Sequence, residues 1–271
     1  GAVSTSPRLA GKRTRMQRAS NIQVKRTTLS ATCVQRSNRL LGAPVQEPIC
    51  SLESHLEFEE SKMSYQIVYW PGFTGRAEPA MLLLEDAGEA YEIVTDVRER
   101  IESLSREQPV FACPILIDGD TVVGQTNVIL EYLGGKHGYD VQDSQRVAGA
   151  QLAYNVADIW RETYYGKKEG NTSYLEDRFP RWVDVLENSF ASNSPDGFLL
   201  SDTHPTYLDF LTLNIVTLAG YCWGPAATAQ IQAQPRLGQW VERMCARRRI
   251  QAYFENPSSL PVGHAAVQAD S

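Results

Sequence analysis

Residues 65–88 read YQIVYWPGFTGRAEPAMLLLEDAG, and this stretch decides the fold. Its first five residues are mostly β-branched or aromatic, which favours a β-strand. A loop containing Pro71 and Gly72 follows, and the apolar run AMLLL then predicts a helix that ends at Gly88. The stretch therefore predicts a strand, a loop and a helix.

The next fifty residues extend this unit. Tyr91–Thr95 predicts a second strand, and residues 97–106 predict a polar, weakly helical segment. Residues 114–123 contain two short strands around a DGD tight turn, which predicts an antiparallel hairpin, and helical spacing resumes at Gln125. Because the first two strands are joined through a helix, we expect them to be parallel. The order βαβαββα predicts a four-stranded mixed sheet with helices on both faces.

The sequence after Asp143 shows no convincing strand and predicts an all-helical domain. Helical patterns cover residues 144–165, 174–191, 206–220 and 235–250. Thr206 precedes the most apolar of them and Asp209 follows three residues later, which predicts a capping box. We expect Asp209 to be buried and structural, with no catalytic role.

The predicted organisation has four parts. They are a basic extension with an acidic spacer at 1–62, an α/β domain at 63–137, a linker at 138–144, and the helical domain with a C-terminal tail at 145–271. These boundaries follow the changes of composition and of hydrophobic period along the chain.

The N-terminal extension differs in charge from the rest of the chain. Residues 1–46 contain nine Lys or Arg and no acid, whereas the remaining 225 residues carry 17 basic against 32 acidic side chains, a net charge of −15. The Arg-, Ser- and Thr-rich composition favours a transit peptide, which predicts the stroma or matrix of a plastid or mitochondrion; otherwise we expect a cytoplasmic protein. A nucleic-acid-binding arm and a solvated tail are the alternatives. The acidic remainder would repel phosphates and disfavours nucleic acid as a partner.

The composition excludes several classes of protein. With 271 residues, 42% of them hydrophobic, the chain is long enough for one or two cored domains. The richest apolar stretch, residues 207–221, is interrupted by Asp209 and Asn214, so no membrane span is predicted. The five cysteines are scattered and show no zinc spacing, which predicts neither a disulfide scaffold nor a metal site. The four histidines lie in no nucleophile motif, and no nucleotide-binding glycine motif is present.

Four blocks of sequence carry a family resemblance. They read IVYWPGFTGRAEPAMLLLEDAG, ACPILIDGDTVVGQTNVILEYLGGKHG, LSDTHPTYLDFLTLNIV and ERMCARRRIQAYFENPSSLP, in that order between residues 65 and 262. Together they resemble the signature blocks of a cytosolic-type glutathione transferase of a tyrosine-using class, most like Pi, with the GRAEP string similar to Sigma. The resemblance implies a thioredoxin-like domain followed by the helical domain, a homodimer, and glutathione as substrate with no metal.

The resemblance implies that Tyr69 is the catalytic residue. Residues 65–88 contain no cysteine, so a thiol that reacts here belongs to the ligand. A phenol that donates a hydrogen bond to the glutathione sulfur favours the thiolate and lowers a thiol pKa that starts near ~8.5. The alternative reading of Tyr69 is a packed strand aromatic.

The resemblance also implies the glutathione-binding residues. Pro114 would be a cis-proline that exposes the backbone of Cys113 to an extended peptide, so that glutathione adds like a short strand. Gln125 and Thr126 stand where helix amides can receive the γ-glutamyl carboxylate. The remaining implied glutathione-binding residues are Arg76, Arg106 and Asp158, the last reaching the γ-glutamyl amine across a dimer interface.

The resemblance further implies a site for a small hydrophobic electrophile beside the catalytic tyrosine. Trp70, Tyr164 and Tyr165 are the candidates, and core or interface packing is the alternative for each. Conjugation of the electrophile is the implied reaction, and isomerisation or peroxide reduction could use the same thiolate.

Departures from the family pattern support a second hypothesis. One additional residue stands between Tyr69 and Arg76, and Glu99 and Ser105 replace the Trp and Lys that hold the glycyl carboxylate. Arg106 or Arg98 is the candidate substitute for the lysine. The second hypothesis is a weakly active or inactive glutathione-transferase-like subunit of a larger, organellar protein assembly.

Overall fold

The computed structural model of the chain describes residues 65–190 and 197–255. The extension and spacer predicted at residues 1–62 lie outside the described residues, and so do Cys33 and Cys50. The domain boundaries and the organellar location therefore stay predictions.

The N-terminal half of the described chain contains a four-stranded sheet. Its strands are β1 (Tyr65–Val68), β2 (Tyr91–Val94), β3 (Ile115–Asp118) and β4 (Thr121–Gly124), in the spatial order β2-β1-β3-β4. β1 is parallel to β2 and antiparallel to β3, and β3 is antiparallel to β4. The predicted mixed sheet is confirmed. β1 is an inner strand because it pairs with β2 on one side and with β3 of the β3–β4 hairpin on the other.

Helices cover both faces of this sheet. They are α1 (Glu78–Ala87), α2 (Val97–Leu104) and α3 (Thr126–His137). Successive strand residues point to opposite faces, so Ile67 and Leu116 pack in the main core, whereas Val68 and Ile115 pack in a smaller cluster with Val97 of α2. The fold is thioredoxin-like in this half.

Six helices form the second half of the described chain. They are α4 (Arg146–Lys168), α5 (Phe179–Glu187), α6 (Tyr207–Trp223), α7 (Pro225–Gln232), α8 (Pro235–Ala246) and α9 (Arg248–Glu255). A π-helical turn at Tyr174–Arg178 precedes α5. The expected all-helical domain is confirmed in class and differs in detail.

The helices differ from the expectation in three places, the first being the helix predicted at 174–191, which is the π-helical turn followed by the shorter α5. α7 was not predicted, because only Ala227 and Ile231 of its eight residues are buried and its remaining residues show no apolar stripe. The segment predicted as one helix at 235–250 is two helices, because Arg247 adopts an extended conformation with ψ of 124°. A sequence pattern does not record a single extended residue between two helical runs.

α6 is the central helix of the second half. Thr206 and Asp209 form a capping box at its start, where Asp209 Oδ2 accepts the Thr206 backbone N–H at 2.6 Å. The other carboxylate oxygen accepts from the Leu199 backbone at 3.1 Å and from the Trp240 indole at 2.7 Å. Asp209 is fully buried, and burial raises its pKa to about 6 despite these hydrogen bonds. Asp209 thereby joins α6, α8 and the preceding loop.

α6 also contacts the thioredoxin-like half, since it packs against α1 and α3 as well as α4. At the other end of α1, Asp86 pairs with Arg247 at 2.6 Å and accepts the Tyr139 hydroxyl at 2.7 Å. The seam between the two halves is therefore closed on both sides of α1. This seam places α4 and α6 beside the loop that follows β1.

Candidate active site

Tyr69 lies directly after β1, and its backbone N–H donates to the Val94 carbonyl at 3.0 Å. Its phenol oxygen accepts the backbone N–H of Arg76 at 2.9 Å, and the side chain is 6% exposed. Burial raises the pKa of Tyr69 to about 12, more than the hydrogen bond from Arg76 lowers it. At neutral pH the phenol therefore keeps its proton and can act as a hydrogen-bond donor.

The loop after Tyr69 covers this hydroxyl. Gly72 and Gly75 both have positive φ, 78° and 41°, which lets the loop fold back on itself. A Cβ atom at Gly75 would collide with both the Phe73 ring and the Tyr69 hydroxyl, so these two groups lie next to each other with only a glycine between them. The loop that contains the additional residue thus also places an aromatic ring, that of Phe73, beside the phenol.

Cys113 lies two residues before β3, near enough to Tyr69 for the two side chains to interact electrostatically. The Cys113–Pro114 peptide bond is cis, as the resemblance implied. The thiol is half-buried beside the backbone of Trp70, and burial raises its pKa. Cys113 therefore carries a neutral thiol at neutral pH.

A cavity of about 240 Å³ opens at the N-terminus of α3. Its wall includes three of the predicted residues, Arg76, Gln125 and Thr126. α3 has no side-chain cap. Its first backbone hydrogen bond within the helix runs from the Ile129 N–H to the Gln125 carbonyl. The amides before Ile129 therefore have no partner within the helix and lie at the end that borders the cavity. Gln125 has φ of 67°, a strained conformation for a non-glycine residue and a frequent feature of binding sites.

The cavity wall is positive. The Arg76 guanidinium lies 4.6 Å from the ring centre of Trp160, and no carboxylate of residues 65–190 and 197–255 forms an ion pair with it. The Thr126 hydroxyl donates to the Arg76 carbonyl at 3.1 Å and fixes the helix end against the loop. Among the described residues that line the cavity there is no Asp or Glu. The Arg76 cation and the helix N-terminus together favour an anionic ligand group.

Two other predicted residues are not brought to this cavity. Arg106 is exposed and pairs with Glu102 at 3.2 Å, an ion pair on the surface of the α2 region. Asp158 is exposed on α4 and does not line the cavity of its own chain. The structure therefore collects Arg76, Gln125 and Thr126 in one place and leaves Arg106 and Asp158 outside it.

Aromatic side chains of α4 and α6 meet the loop. Tyr164 stacks on Trp160 with 5.2 Å between ring centres and lies 5.4 Å from Tyr165. Phe73 lies 6.0 Å from both Tyr164 and Tyr221, and so bridges the two helices. The predicted residue Trp70 is 45% exposed. Tyr164 and Tyr165 thus stand together, with Phe73 in the space between α4 and α6.

Two family models match the described chain. The glutathione S-transferase N-terminal domain model matches residues 65–135, and the glutathione S-transferase C-terminal domain model matches residues 154–257. The chain belongs to the glutathione S-transferase family. The recognition made from the four sequence blocks is confirmed.

The relatives of this glutathione S-transferase share low identity with it over most of their length. It is 26% identical to glutathione S-transferase P 1 of Xenopus laevis, over 71% of this chain and 92% of that protein. Against human glutathione S-transferase P the identity is 24%, covering 73% and 96%. The solved Pi-class glutathione S-transferase of Onchocerca volvulus superposes with a TM-score of 0.62 at 20% identity, covering 74% and 97%. This structural likeness supports the fold.

Sequence reasoning missed several side chains that line or adjoin the candidate site. They are Phe73, Glu78, Trp160, Asn214 and Tyr221. One signal was available for Asn214, because it interrupts the richest apolar stretch of the sequence and has no capping role such as that of Asp209. Phe73 gave no such signal, since an aromatic residue in a loop is ordinary.

In residues 65–190 and 197–255 no group of three His, Cys, Asp or Glu is arranged to hold a metal ion. Within the same residues no helix is both long and apolar enough to span a bilayer.

Proposed function

We propose that this glutathione S-transferase binds glutathione and transfers its thiolate to a small hydrophobic electrophile. The observation that carries the proposal is the protonated Tyr69 hydroxyl beside the cis Cys113–Pro114 peptide, in the domain that also bears the positive cavity. In the reaction the thiol gives its proton to solvent, the sulfur forms a bond to the electrophilic carbon, and the leaving group departs with the electron pair of its own bond.

The cavity supports the placement of one end of glutathione. The γ-glutamyl carboxylate would accept hydrogen bonds from the first amides of α3, with Gln125 and Thr126 at the helix end and Arg76 as the nearest cation. The peptide would then run along the backbone of Cys113 toward the phenol. This direction brings the cysteinyl sulfur to Tyr69.

The phenol supports the activation of the thiol. Because its pKa is about 12, Tyr69 remains a donor throughout the pH range in which glutathione ionises. Its oxygen already accepts from Arg76, so its own proton is directed away from that amide. A hydrogen bond from the phenol stabilises the thiolate over the thiol and lowers the thiol pKa.

Aromatic side chains support a hydrophobic second substrate. Tyr164 and Tyr165 of α4 pack together next to Phe73, which lies beside the phenol, and Trp70 follows Tyr69 in the chain with its side chain 45% exposed. Conjugation of such electrophiles is a detoxification reaction, and isomerisation or peroxide reduction would use the same thiolate. Phe73 stands between α4 and α6, so the electrophile needs this ring to move or must bind over it.

The clamp for the glycyl carboxylate is the weakest part of the proposed site. Arg106 is the proposed cation, although it now pairs with Glu102 on the surface. A hydrogen bond to a charged group contributes about 1.5 to 3 kcal/mol, so its absence would weaken glutathione binding about tenfold or more. We therefore expect a high Kd for glutathione compared with a transferase that has the complete clamp.

We also propose that the protein is a homodimer. Val147, 83% exposed, and Tyr154, 72% exposed, line a cleft of about 410 Å³ between α3 and α4. Phe111, in the loop before β3, is a separate apolar side chain that is 91% exposed. Exposed apolar side chains of this size next to a cleft are typical of an interface. Asp158, exposed on α4, would then reach the γ-glutamyl amine of the partner subunit.

The test is a calorimetric titration with glutathione followed by turnover of a chloronitroaromatic. Binding with a Kd in the millimolar range or below, together with chloride release that depends on Tyr69, supports the proposal. Absence of binding at several millimolar glutathione contradicts it.

A second candidate function is a structural subunit of a larger assembly. The observation that favours it is Phe73, which closes the space between α4 and α6 that an electrophile would need. The extension at residues 1–62 would then be the assembly contact or a transit peptide for an organelle. Co-purification with a fixed set of partners, without glutathione affinity, decides for this function; a fluorescent fusion to residues 1–62 tests the organellar location.

A further inference from the structure

Glu78 is a buried acid in the first turn of α1, at the seam between the two halves. It is 2% exposed, and its Oε2 accepts the Asn214 side-chain N–H at 2.5 Å and the Thr217 hydroxyl at 2.6 Å. The Thr74 hydroxyl donates to Oε1 at 3.3 Å. In the described part of the chain no Lys, Arg or His forms an ion pair with this carboxyl group.

Such a carboxyl group is unusual. Burying an acid without a cationic partner is unfavourable, and burial raises the pKa of Glu78. Several neutral donors nevertheless converge on its oxygens, which is the arrangement that an ionised carboxylate requires. A cation that binds close by would supply the missing partner.

Asn214 connects this acid to the cavity. It is 2% exposed, lies on α6, and forms part of the cavity wall together with Arg76 and Pro79. Its amide nitrogen is used by Glu78, while its Oδ1 accepts no hydrogen bond from the described residues. An amide that donates to a carboxylate is polarised, so its carbonyl oxygen becomes a better acceptor.

The proposed ligand end needs such an acceptor. The γ-glutamyl group carries an ammonium as well as a carboxylate, and the α3 N-terminus and Arg76 satisfy only the carboxylate. No Asp or Glu of the described residues lines the cavity. The amide oxygen of Asn214, backed by Glu78, is the acceptor that the wall offers to a cation.

We propose that Asn214, oriented and polarised by Glu78, accepts a hydrogen bond from the ammonium group of γ-glutamyl ligands. Asn214 is then a binding residue, and Glu78 is a positioning residue that acts through it. The inference rests on the proposed function, since it deepens the recognition of glutathione. It adds an acceptor from the same chain to the acid that a partner subunit would contribute.

The alternative role of Glu78 is structural, as a joint between α1, α6 and the loop at Thr74. A joint would affect every ligand of the cavity equally. Recognition of ammonium affects only ligands that carry one. The two roles are therefore separated by a pair of ligands that differ in the amino group alone.

The experiment titrates the full chain with glutathione and with glutaryl-cysteinylglycine, which lacks the amino group. Glu78→Gln keeps the shape of the side chain and removes its carboxylate. In the proposed complex this carboxylate lies about 7 Å from the ligand ammonium, because the Asn214 amide and two hydrogen bonds stand between them. We expect this variant to weaken glutathione binding about tenfold and the binding of the analogue less than about twofold.

Two further variants complete the test. Asn214→Leu has a similar size and is expected to show the same selectivity, which keeps the proposal testable if Glu78→Gln does not fold. Asp86→Asn is the matched control, because it weakens the same seam at the Arg247 pair and leaves the cavity intact. We expect Asp86→Asn to lower the Tm. The ratio of its affinities for glutathione and for the analogue should equal that of the wild type.

The outcomes distinguish the inference from the function on which it rests. Equal losses for both ligands in Glu78→Gln, or no loss for either, would overturn the inference while the transferase proposal stands. A wild-type chain that binds neither ligand overturns both. Selective loss of glutathione affinity in both variants, with an unchanged ratio in Asp86→Asn, supports the inference.

Discussion

The two ends of the proposed glutathione site differ in how they are built. The end at α3 is an open, polar cavity with a helix that has no side-chain cap, a strained Gln125, and the Arg76 guanidinium, which forms no ion pair within residues 65–190 and 197–255. The end at Tyr69 is apolar and closed, with the hydroxyl covered by Gly75 and the Phe73 ring. In the proposed site the amino-acid end of the ligand therefore meets a preformed cavity, whereas the reacting end has to be opened.

A physical reason accounts for the difference. The first amides of a helix cannot bond within that helix, so the α3 end keeps donors that only a ligand or water satisfies. An apolar pocket has no such requirement, and a loop with a suitably placed aromatic ring can fill it, which removes apolar surface from water. Phe73 does this between Tyr164 and Tyr221.

The largest expected effect concerns the closed end. Tyr69→Phe should lower kcat/KM for a chloronitroaromatic about 100- to 1000-fold, because the variant loses the preorganised hydroxyl that donates to the glutathione thiolate. The pKa of bound glutathione should rise, so the activity should reach half its maximum at a higher pH than in the wild type.

The pH profile gives this prediction its sign. In the wild type the activity should rise as the thiol ionises and should not decline through the phenol until the pH approaches about 12, the pKa of Tyr69. Tyr91→Phe is the matched control, since this tyrosine lies on β2 and donates to Glu85. An unshifted profile in Tyr69→Phe would remove the phenol from the mechanism.

The second prediction concerns the partner subunit and the open end. Phe111→Glu should raise the dimer dissociation constant about 100-fold or more, because a two-fold interface loses the same apolar side chain twice and gains two charges. Light scattering across a concentration series measures this change. If Asp158 of the partner subunit contributes to the cavity, the affinity of Phe111→Glu for glutathione should fall as the dimer dissociates. A wild type that is monomeric across the series would contradict the proposed dimer.

The third prediction opens the closed end. Phe73→Ala should raise kcat/KM for a bulky electrophile about tenfold relative to a small one, while the glutathione Kd changes less than about twofold, because the ring fills the space between α4 and α6. Phe198→Ala, a partly buried ring near Arg243, is the control for the loss of stability. If the ratio between the two electrophiles stays constant, Phe73 does not limit access.

The smallest expected effect concerns the open end alone. Thr126→Val should weaken glutathione binding about fivefold, since it removes the hydroxyl that ties the α3 end to the Arg76 carbonyl, one hydrogen bond of ordinary strength. Calorimetry measures the change, with Thr121→Val on β4 as the control. An effect on kcat without an effect on Kd would be inconsistent with the separation of the two ends.

The order of elements was predictable, and the helical details were less so. The strands, the hairpin and α1 follow from side-chain periods and turn residues that are local in the chain, such as Gly88 after the apolar run. The break at Arg247 and the helix at Pro225–Gln232 did not follow, because one extended residue or a helix with two buried side chains leaves little trace in a hydrophobic pattern.

The chemical groups of the site could be read from the sequence: a tyrosine after β1, a proline before β3, a polar pair at the start of α3, and the motif order that places them in one family. Tertiary structure alone decided their surroundings. Phe73 covers Tyr69 only because α4 and α6 converge on the loop, and Glu78 meets Asn214 across 136 positions of sequence. The physical reason is that periodicity records which face of an element is buried, whereas the partner that buries it comes from a distant part of the chain.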